Sequence, residues 1–136
     1  MGGLGGGPIT RFLLICLGGA LGTGARYLLS GWAPRWLGAA FPYGTLLCNV
    51  VGSFLMGLVM ALGLSATLFS STTRLVLTTG VLGGFTTYST FNYEALGLLQ
   101  ERDGLLFALY LAATVLGCLV FGGLGLALGR QVLTGE

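Results

Sequence analysis

The feature that most constrains the fold is a series of long apolar stretches separated by isolated arginines. Of the 136 residues, 54% are hydrophobic and only 7% are charged. A helix of roughly 20 apolar residues crosses the hydrocarbon core of a bilayer. The pattern therefore predicts an all-α integral membrane protein, with residues 1–136 forming a single four-span transmembrane domain. The predicted spans cover about 12–29, 44–64, 74–100 and 104–128.

The first apolar stretch also resembles the core of a secretory signal peptide, because Arg11 precedes it. The small-residue run that follows leads into Arg26 and a second span. Removal of this stretch would leave three spans with an odd topology. We therefore expect the stretch to be retained as the first span.

The polar residue types argue against several kinds of chemistry. Histidine and lysine are absent, so the commonest general base and the commonest metal ligand are missing. The three cysteines lie far apart in apolar runs and match neither a disulfide framework nor a metal motif. We expect transport and no enzyme activity. With a net charge of +2 and no basic cluster, we also expect no nucleic-acid partner.

The chain has 26 glycines, a high count for its length. Gly18 and Gly22 are four residues apart in the first span, as are Gly125 and Gly129 in the fourth. Small residues at this spacing let membrane helices approach closely, so we predict close helix packing at both pairs.

The third span carries the densest local signal, the run GVLGGFTTYSTF that ends at Phe91. Adjacent glycines weaken a helix, and the side chains of Thr86 and Thr87 can cap the start of a new one. We predict that the span is interrupted near 83–87, at mid-membrane. Freed backbone groups there must be satisfied by protein, water or an ion, as in the broken helices of many transporters. The alternative is a continuous helix whose hydroxyls bond back to their own turn.

Two other spans each carry a mildly polar stripe at four-residue spacing, which places the stripe on one helix face. The stripes are Asn49, Ser53 and Gly57 in the second span, and Tyr110, Thr114 and Cys118 in the fourth. Interhelical hydrogen bonding would explain one stripe. Two stripes beside a broken, threonine-rich span predict a polar track. Hydroxyl and amide donors suit a small anion, and so do the ring edges of Tyr88 and Phe91, although core packing is the alternative for these rings.

The arginines give no clear orientation in the membrane. Four spans would put Arg11, Arg74 and Arg130 near one side, and Arg26, Arg35 and Arg102 near the other. Positive charge decides topology, so a balanced count leaves both orientations open. A chain that inserts both ways can pair with its own inverted copy, whereas small local effects could instead set one orientation.

Motifs in three spans, taken together and in order, resemble the CrcB/Fluc fluoride channel family. They are the run from Gly19 to Arg26-Tyr27, Gly44-Thr45-Leu46 with Asn49 and Gly52-Ser53, and GGFTTYSTF at 83–91 followed by Glu94. The resemblance covers nearly the whole chain. It implies a dual-topology antiparallel homodimer in a prokaryotic inner (plasma) membrane. Two parallel pores would export cytoplasmic fluoride passively.

The resemblance also implies roles for individual residues. The fluoride pore would include Asn49, Tyr88, Ser89, Thr90, Phe91, Tyr110, Thr114 and Cys118. Arg26 corresponds to an arginine near the vestibule, where it either attracts anions or only anchors its span. Glu94 would have a buried hydrogen-bond or ion-pair role. The backbone carbonyls of Gly83 and Thr86, one pair from each subunit, would hold a structural sodium ion at the dimer centre.

This chain departs from the family pattern at two positions. Tyr88 stands where the family usually has phenylalanine, and Cys118 stands where it often has serine. Both changes leave the conduction rate and the ion path open.

A proton-coupled exporter of small cations, of the small multidrug-resistance type, has a similar size and is the nearest alternative. Such an exporter needs a carboxylate in its first span, and this first span has none.

Overall fold

The computed structural model describes residues 7–63 and 68–135, and every regular element in these ranges is helical. The elements are α1 (Pro8–Leu37), α2 (Tyr43–Gly63), α3 (Ser71–Leu75), a π-helical segment (Val76–Leu82), α4 (Gly83–Phe85), α5 (Tyr88–Gln100) and α6 (Gly104–Thr134). Within the described ranges α1, α2 and α6 are long and apolar enough to cross a membrane, judged by length and composition. The prediction of an all-helical membrane protein is therefore confirmed.

The first helix is longer than its predicted span and contains a proline. Helix α1 continues through Pro34 to Leu37, beyond the predicted end of the first span near residue 29. Proline removes one N–H donor, but here it lies in the last turn, and the N–H of Gly38 still donates to the Pro34 carbonyl at 3.0 Å.

The predicted third span corresponds to four consecutive segments, α3, the π-helical segment, α4 and α5. The helical path runs from Ser71 to Phe85 and resumes at Tyr88. Thr86 and Thr87 between them are extended, with φ/ψ of −83°/157° and −153°/121°. The interruption, called the break below, consists of these two threonines. The predicted second span ends at residue 64, which lies outside the described residues.

Both predicted glycine pairs lie at close helix crossings, so that prediction is confirmed. A Cβ on Gly18 or Gly22 would touch backbone atoms of Val76 or Val81 in the third span. A Cβ on Gly129 would lie 2.6 Å from the Ala61 side chain of α2, and Gly125 meets α2 backbone in the same way. Helix α1 therefore packs directly on the first half of the third span, and α6 packs on α2.

The burial pattern is the reverse of that in a water-soluble domain. Many large apolar side chains of α1 and α6 face outward, for example Phe12 at 65% exposure and Leu119 at 69%. Buried positions include polar side chains, among them Thr45, Asn49 and Thr114. Lipid can solvate apolar side chains but cannot satisfy polar ones, so this pattern fits a bilayer and concentrates hydrogen bonding in the interior.

Candidate functional site

The side chain of Asn49 satisfies the backbone on the α5 side of the break. Its Nδ2 donates to the carbonyl of Thr87 at 2.9 Å, and its Oδ1 accepts from the N–H of Thr87 at 2.8 Å. Thr87 is also the N-cap of α5, since its Oγ1 accepts from the N–H of Thr90 at 3.3 Å. The side-chain amide of Asn49 thus bonds the N–H and the carbonyl of Thr87, which would otherwise be paired within a continuous helix.

Side chains of α1 satisfy the other side of the break. The Nε of Arg26 donates to the carbonyl of Gly84 at 3.0 Å, and the hydroxyl of Thr23 donates to the same oxygen at 3.5 Å. Thr86 closes the end of the first half-helix, because its N–H and its Oγ1 both donate to the carbonyl of Leu82 at 3.0 Å. The break is therefore supported from α1 and from α2.

A groove of about 630 Å³ lies between α2, the break and α6. The residues that line it are Asn49, Gly52, Ser53, Met56, Gly57, Thr86, Thr87, Tyr88, Phe91, Thr114, Val115, Cys118, Leu119 and Gly122. All three residues of the α2 stripe therefore face one space, together with Thr114 and Cys118 of the α6 stripe. None of the lining residues carries a charged side chain.

The hydroxyl of Thr114 is a buried lining group whose bonding is incomplete. The residue is only 6% exposed, and its Oγ1 is buried without a hydrogen-bond partner in the described part of the chain. A buried hydroxyl without a partner is costly. Because Thr114 lines the groove one helical turn from Cys118, its hydroxyl is suited to donate to a ligand there.

Four aromatic rings form a continuous series of edge-to-face contacts that begins at the groove. The ring centroids of Tyr88 and Phe91 are 5.7 Å apart, and those of Phe91 and Tyr110 are 5.1 Å apart. Tyr110 in turn meets the edge of Phe41 at 5.4 Å and an interplanar angle of 82°. Such arrangements point positive ring edges at neighbouring electron density. Tyr88 is 79% exposed, so one face of the series is open.

The carboxylate of Glu94 lies beyond Phe91 and accepts two hydroxyl hydrogen bonds. Thr45 Oγ1 donates to Oε1 at 2.9 Å and Tyr110 Oη donates to Oε2 at 2.7 Å. Glu94 and Thr45 line a second cavity of about 350 Å³ near the α1–α2 connection, which Glu101 also lines. Fully buried Tyr110 thus contacts both the groove ring Phe91 and this carboxylate cluster.

The structure brings some of the predicted site residues together and leaves others apart. Asn49, Thr86, Tyr88, Phe91, Thr114 and Cys118 line the groove, whereas Ser89, Thr90, Tyr110, Arg26, Glu94 and Gly83 do not. Ser89 and Gly83 are exposed. Sequence reasoning assigned no role to Thr23 and Thr45, although both fall inside quoted motifs. The Thr23 hydroxyl donates to Gly84, 61 residues later, and the Thr45 hydroxyl donates to Glu94, 49 residues later. Partners at such distances in the sequence cannot be identified from local motifs.

The apolar outer surface, the three membrane-length helices and the buried polar interior define a multi-pass α-helical integral membrane protein. The sequence profile of a family described as "CrcB-like protein, Camphor Resistance (CrcB)" matches residues 13–126. The chain belongs to this CrcB-like family.

Several relatives match most of this chain and carry the name "Fluoride-specific ion channel FluC". One from Anaeromyxobacter sp. (strain K) is 55% identical over 112 residues, which cover 82% of this chain and 89% of the relative. One from Anaeromyxobacter dehalogenans (strain 2CP-1 / ATCC BAA-258) is 56% identical over 111 residues, covering 82% and 88%. One from Sorangium cellulosum (strain So ce56) is 46% identical over 125 residues, covering 92% and 98%.

Proposed function

We propose that this protein is a fluoride-specific ion channel that exports cytoplasmic fluoride passively and confers fluoride resistance. It is not an enzyme. The observation that carries the proposal is the groove, which is lined by neutral donors and aromatic edges in a chain whose named relatives are fluoride channels. HF crosses membranes as a neutral acid and ionises inside, so a selective leak for the anion is sufficient.

The lining of the groove suits an anion that must enter and leave. Fluoride is small and strongly hydrated, so a pore has to replace water with hydrogen-bond donors. The hydroxyl of Thr114 and the second N–H of the Asn49 amide can donate, and the edge of Phe91 adds partial positive charge. Without a cationic side chain in the lining, the anion is bound weakly enough to move on.

The remaining proposed pore residues extend this path beyond the groove. Ser89 and Thr90 carry hydroxyls beside the aromatic pair, and Tyr110 leads from Phe91 to the Glu94 cluster. The thiol of Cys118, one helical turn after Thr114 in α6, continues the line of donors. Thiols are weaker donors than hydroxyls, so we expect this end of the path to bind fluoride less strongly.

The proposed working unit is an antiparallel, dual-topology homodimer with four spans per chain and two pores. The break would lie at mid-membrane in the third span. Two observations support a second copy. Tyr88 lies beside the groove and is 79% exposed, and the six arginines divide evenly between the two expected sides. The proposed location is the inner (plasma) membrane of a prokaryote.

A structural sodium ion at the dimer centre, held by the carbonyls of Gly83 and Thr86, fits the backbone at the break. In a continuous helix Gly83 would accept from the N–H of Thr87, which donates instead to Asn49. Thr86 would accept from the N–H of Thr90, which donates instead to Thr87 Oγ1. Both carbonyls thus lose their regular partners, and oxygen ligands suit a hard cation. When bound, sodium would supply positive charge to these carbonyls.

The test is ion flux from liposomes that contain the purified protein. With a fluoride electrode outside and a potassium ionophore to balance charge, wild-type vesicles should release fluoride and retain chloride. Phe91→Ile should suppress release, because it removes the ring edge from the groove. Phe121→Ile is the matched control, since Phe121 is a half-exposed ring on the outer surface of α6. Equal fluoride and chloride release would refute the proposal, and proton-coupled guanidinium uptake would favour the cation exporter.

The antiparallel arrangement needs its own measurement. A single cysteine in place of the exposed Ser89, just after the break, in a background without the three native cysteines, should form a cross-link between two chains. Protease or labelling tags at one terminus should then lie on opposite sides of the vesicle within each linked pair. Linked pairs with both tags on the same side would exclude dual topology.

A further inference from the structure

Arg26 of α1 reaches the break although 58 residues separate it from Gly84 in the sequence. Its Nε donates to the Gly84 carbonyl at 3.0 Å, and the residue is half-buried. Arginine within membrane-spanning segments is costly unless it is paired with a charge or with backbone carbonyls. Since the carbonyl partner is identified, Arg26 differs from an arginine that only extends toward the membrane surface.

The Gly84 carbonyl is one of those that the break deprives of a helical partner. In a continuous helix it would accept from the N–H of Tyr88, but the extended conformation of Thr86 and Thr87 separates the two groups. It also belongs to the carboxyl end of the helical run 71–85, where backbone carbonyls carry partial negative charge. A guanidinium at this position satisfies the carbonyl and complements the helix dipole.

We infer that Arg26 is a positioning residue: by holding the Gly84 carbonyl toward α1, it fixes which carbonyls of the break are left for a cation. The peptide unit that joins Gly84 to Phe85 is planar and rigid, so fixing its oxygen restrains the peptide units on both sides. The carbonyls of Gly83 and Thr86, which the proposed sodium ion would use, lie on either side of this peptide unit and have lost their regular helical partners. The inference rests on the proposed function, because it concerns the sodium ion proposed there.

The planar geometry of the contact distinguishes this role from simple attraction of anions. A positioning role requires an Nε–H in a fixed plane, which lysine does not possess. Attraction of fluoride would require only the positive charge, which lysine keeps. Arg26→Lys and Arg26→Gln therefore separate the two roles, and Arg35→Lys and Arg35→Gln are the matched controls on the exposed last turn of the same helix.

The experiment measures how sodium stabilises the purified protein in detergent. The melting temperature is followed while sodium chloride replaces N-methyl-D-glucamine chloride at constant ionic strength, and fluoride efflux is measured alongside. Both Arg26 variants should need roughly tenfold more sodium than wild type for half of the maximal stabilisation, because a charge-assisted hydrogen bond is lost. Both Arg35 variants should match wild type. An Arg26→Lys protein with wild-type sodium dependence would overturn the inference.

A milder variant keeps the inference testable if the Arg26 variants do not fold. Thr23→Val preserves side-chain shape and removes the second donor to Gly84. It should shift the sodium dependence in the same direction by a smaller factor, and an unchanged dependence would count against the inference. Failure of the proposed function is recognised separately, because wild-type vesicles would then release no fluoride. Wild-type vesicles that release fluoride, with no stabilisation of the protein by sodium, would overturn this inference and the proposed sodium site while leaving the channel function intact.

Discussion

Asn49→Asp isolates the contribution of one hydrogen bond to the break. Aspartate has nearly the shape of asparagine, and it can still accept from the N–H of Thr87. As a carboxylate it cannot donate to the Thr87 carbonyl, which in the wild-type protein receives Nδ2–H at 2.9 Å. In the ionised form a carboxylate oxygen would instead face a carbonyl oxygen. The substitution thus replaces one attraction by one repulsion at a residue that is only 8% exposed.

The magnitude follows from the group that is left unpaired. A buried carbonyl that loses its donor costs about 1–3 kcal/mol, and any retained charge on the aspartate adds to this. At 25 °C this energy shifts the equilibrium between conformations with and without the bond from residue 49 to the Thr87 carbonyl by roughly 5- to 150-fold. We expect a lower melting temperature and a loss of fluoride efflux within this range, because the break and the groove share Asn49.

The assay is efflux from liposomes, together with thermal unfolding of the same preparations. Gln131→Glu is the matched control, since it makes the same amide-to-acid change at an exposed position near the end of α6. It should leave both quantities unchanged. If Asn49→Asp conducted fluoride at the wild-type rate and melted at the wild-type temperature, the contact between Asn49 and Thr87 would not hold the break together.

Three further substitutions test separate parts of the site. Gly52→Ala should lower the melting temperature by several degrees, about 1–3 kcal/mol, because the new methyl group would overlap the Thr86 side chain. Tyr110→Phe should slow efflux and cost about 1–3 kcal/mol of stability, because it keeps the ring contacts and removes the 2.7 Å hydrogen bond to Glu94. Cys118→Ser should maintain or raise efflux, because a hydroxyl is a better donor than a thiol.

These three predictions have controls and contrary outcomes within the same chain. Gly123→Ala places a methyl group in open space and should leave the melting temperature unchanged, whereas equal effects at Gly52 and Gly123 would exclude overlap as the cause. Tyr93→Phe removes the hydroxyl of an exposed tyrosine and should have no effect on efflux. A large loss of efflux in Cys118→Ser would show that the thiol is required and that the proposed order of donors is wrong.

Features that depend on local residue preference could be predicted from the sequence. Apolar stretches of membrane length indicated the long helices, and four-residue glycine spacing indicated the close crossings at Gly22 and Gly125. The polar stripe that begins at Asn49 was placed on one helix face, and that face lines the groove. Periodicity carries this information because residues four apart share a face whatever lies opposite.

Features that depend on a distant partner could not be predicted. The first span was predicted to end near residue 29, but helix α1 continues past Pro34 to Leu37, because only one hydrogen bond is lost in its last turn. The break was predicted near 83–87, and the extended residues Thr86 and Thr87 lie at the end of that range, but their bonding partners were not predicted. Thr87 becomes extended where Asn49 can bond its N–H and its carbonyl, and no local preference encodes that pairing.

The two supports of the break explain how a neutral groove can hold one geometry. Asn49 fixes Thr87 from α2, and Arg26 fixes Gly84 from α1, so the interrupted backbone is bonded on both sides to different helices. Displacing either helix would leave a backbone group unpaired where lipid offers no substitute. The Asn49 amide in the groove is therefore fixed by the same bonds that permit the break. Selection of a small anion needs such rigidity, since a lining that relaxes can also adapt to larger anions.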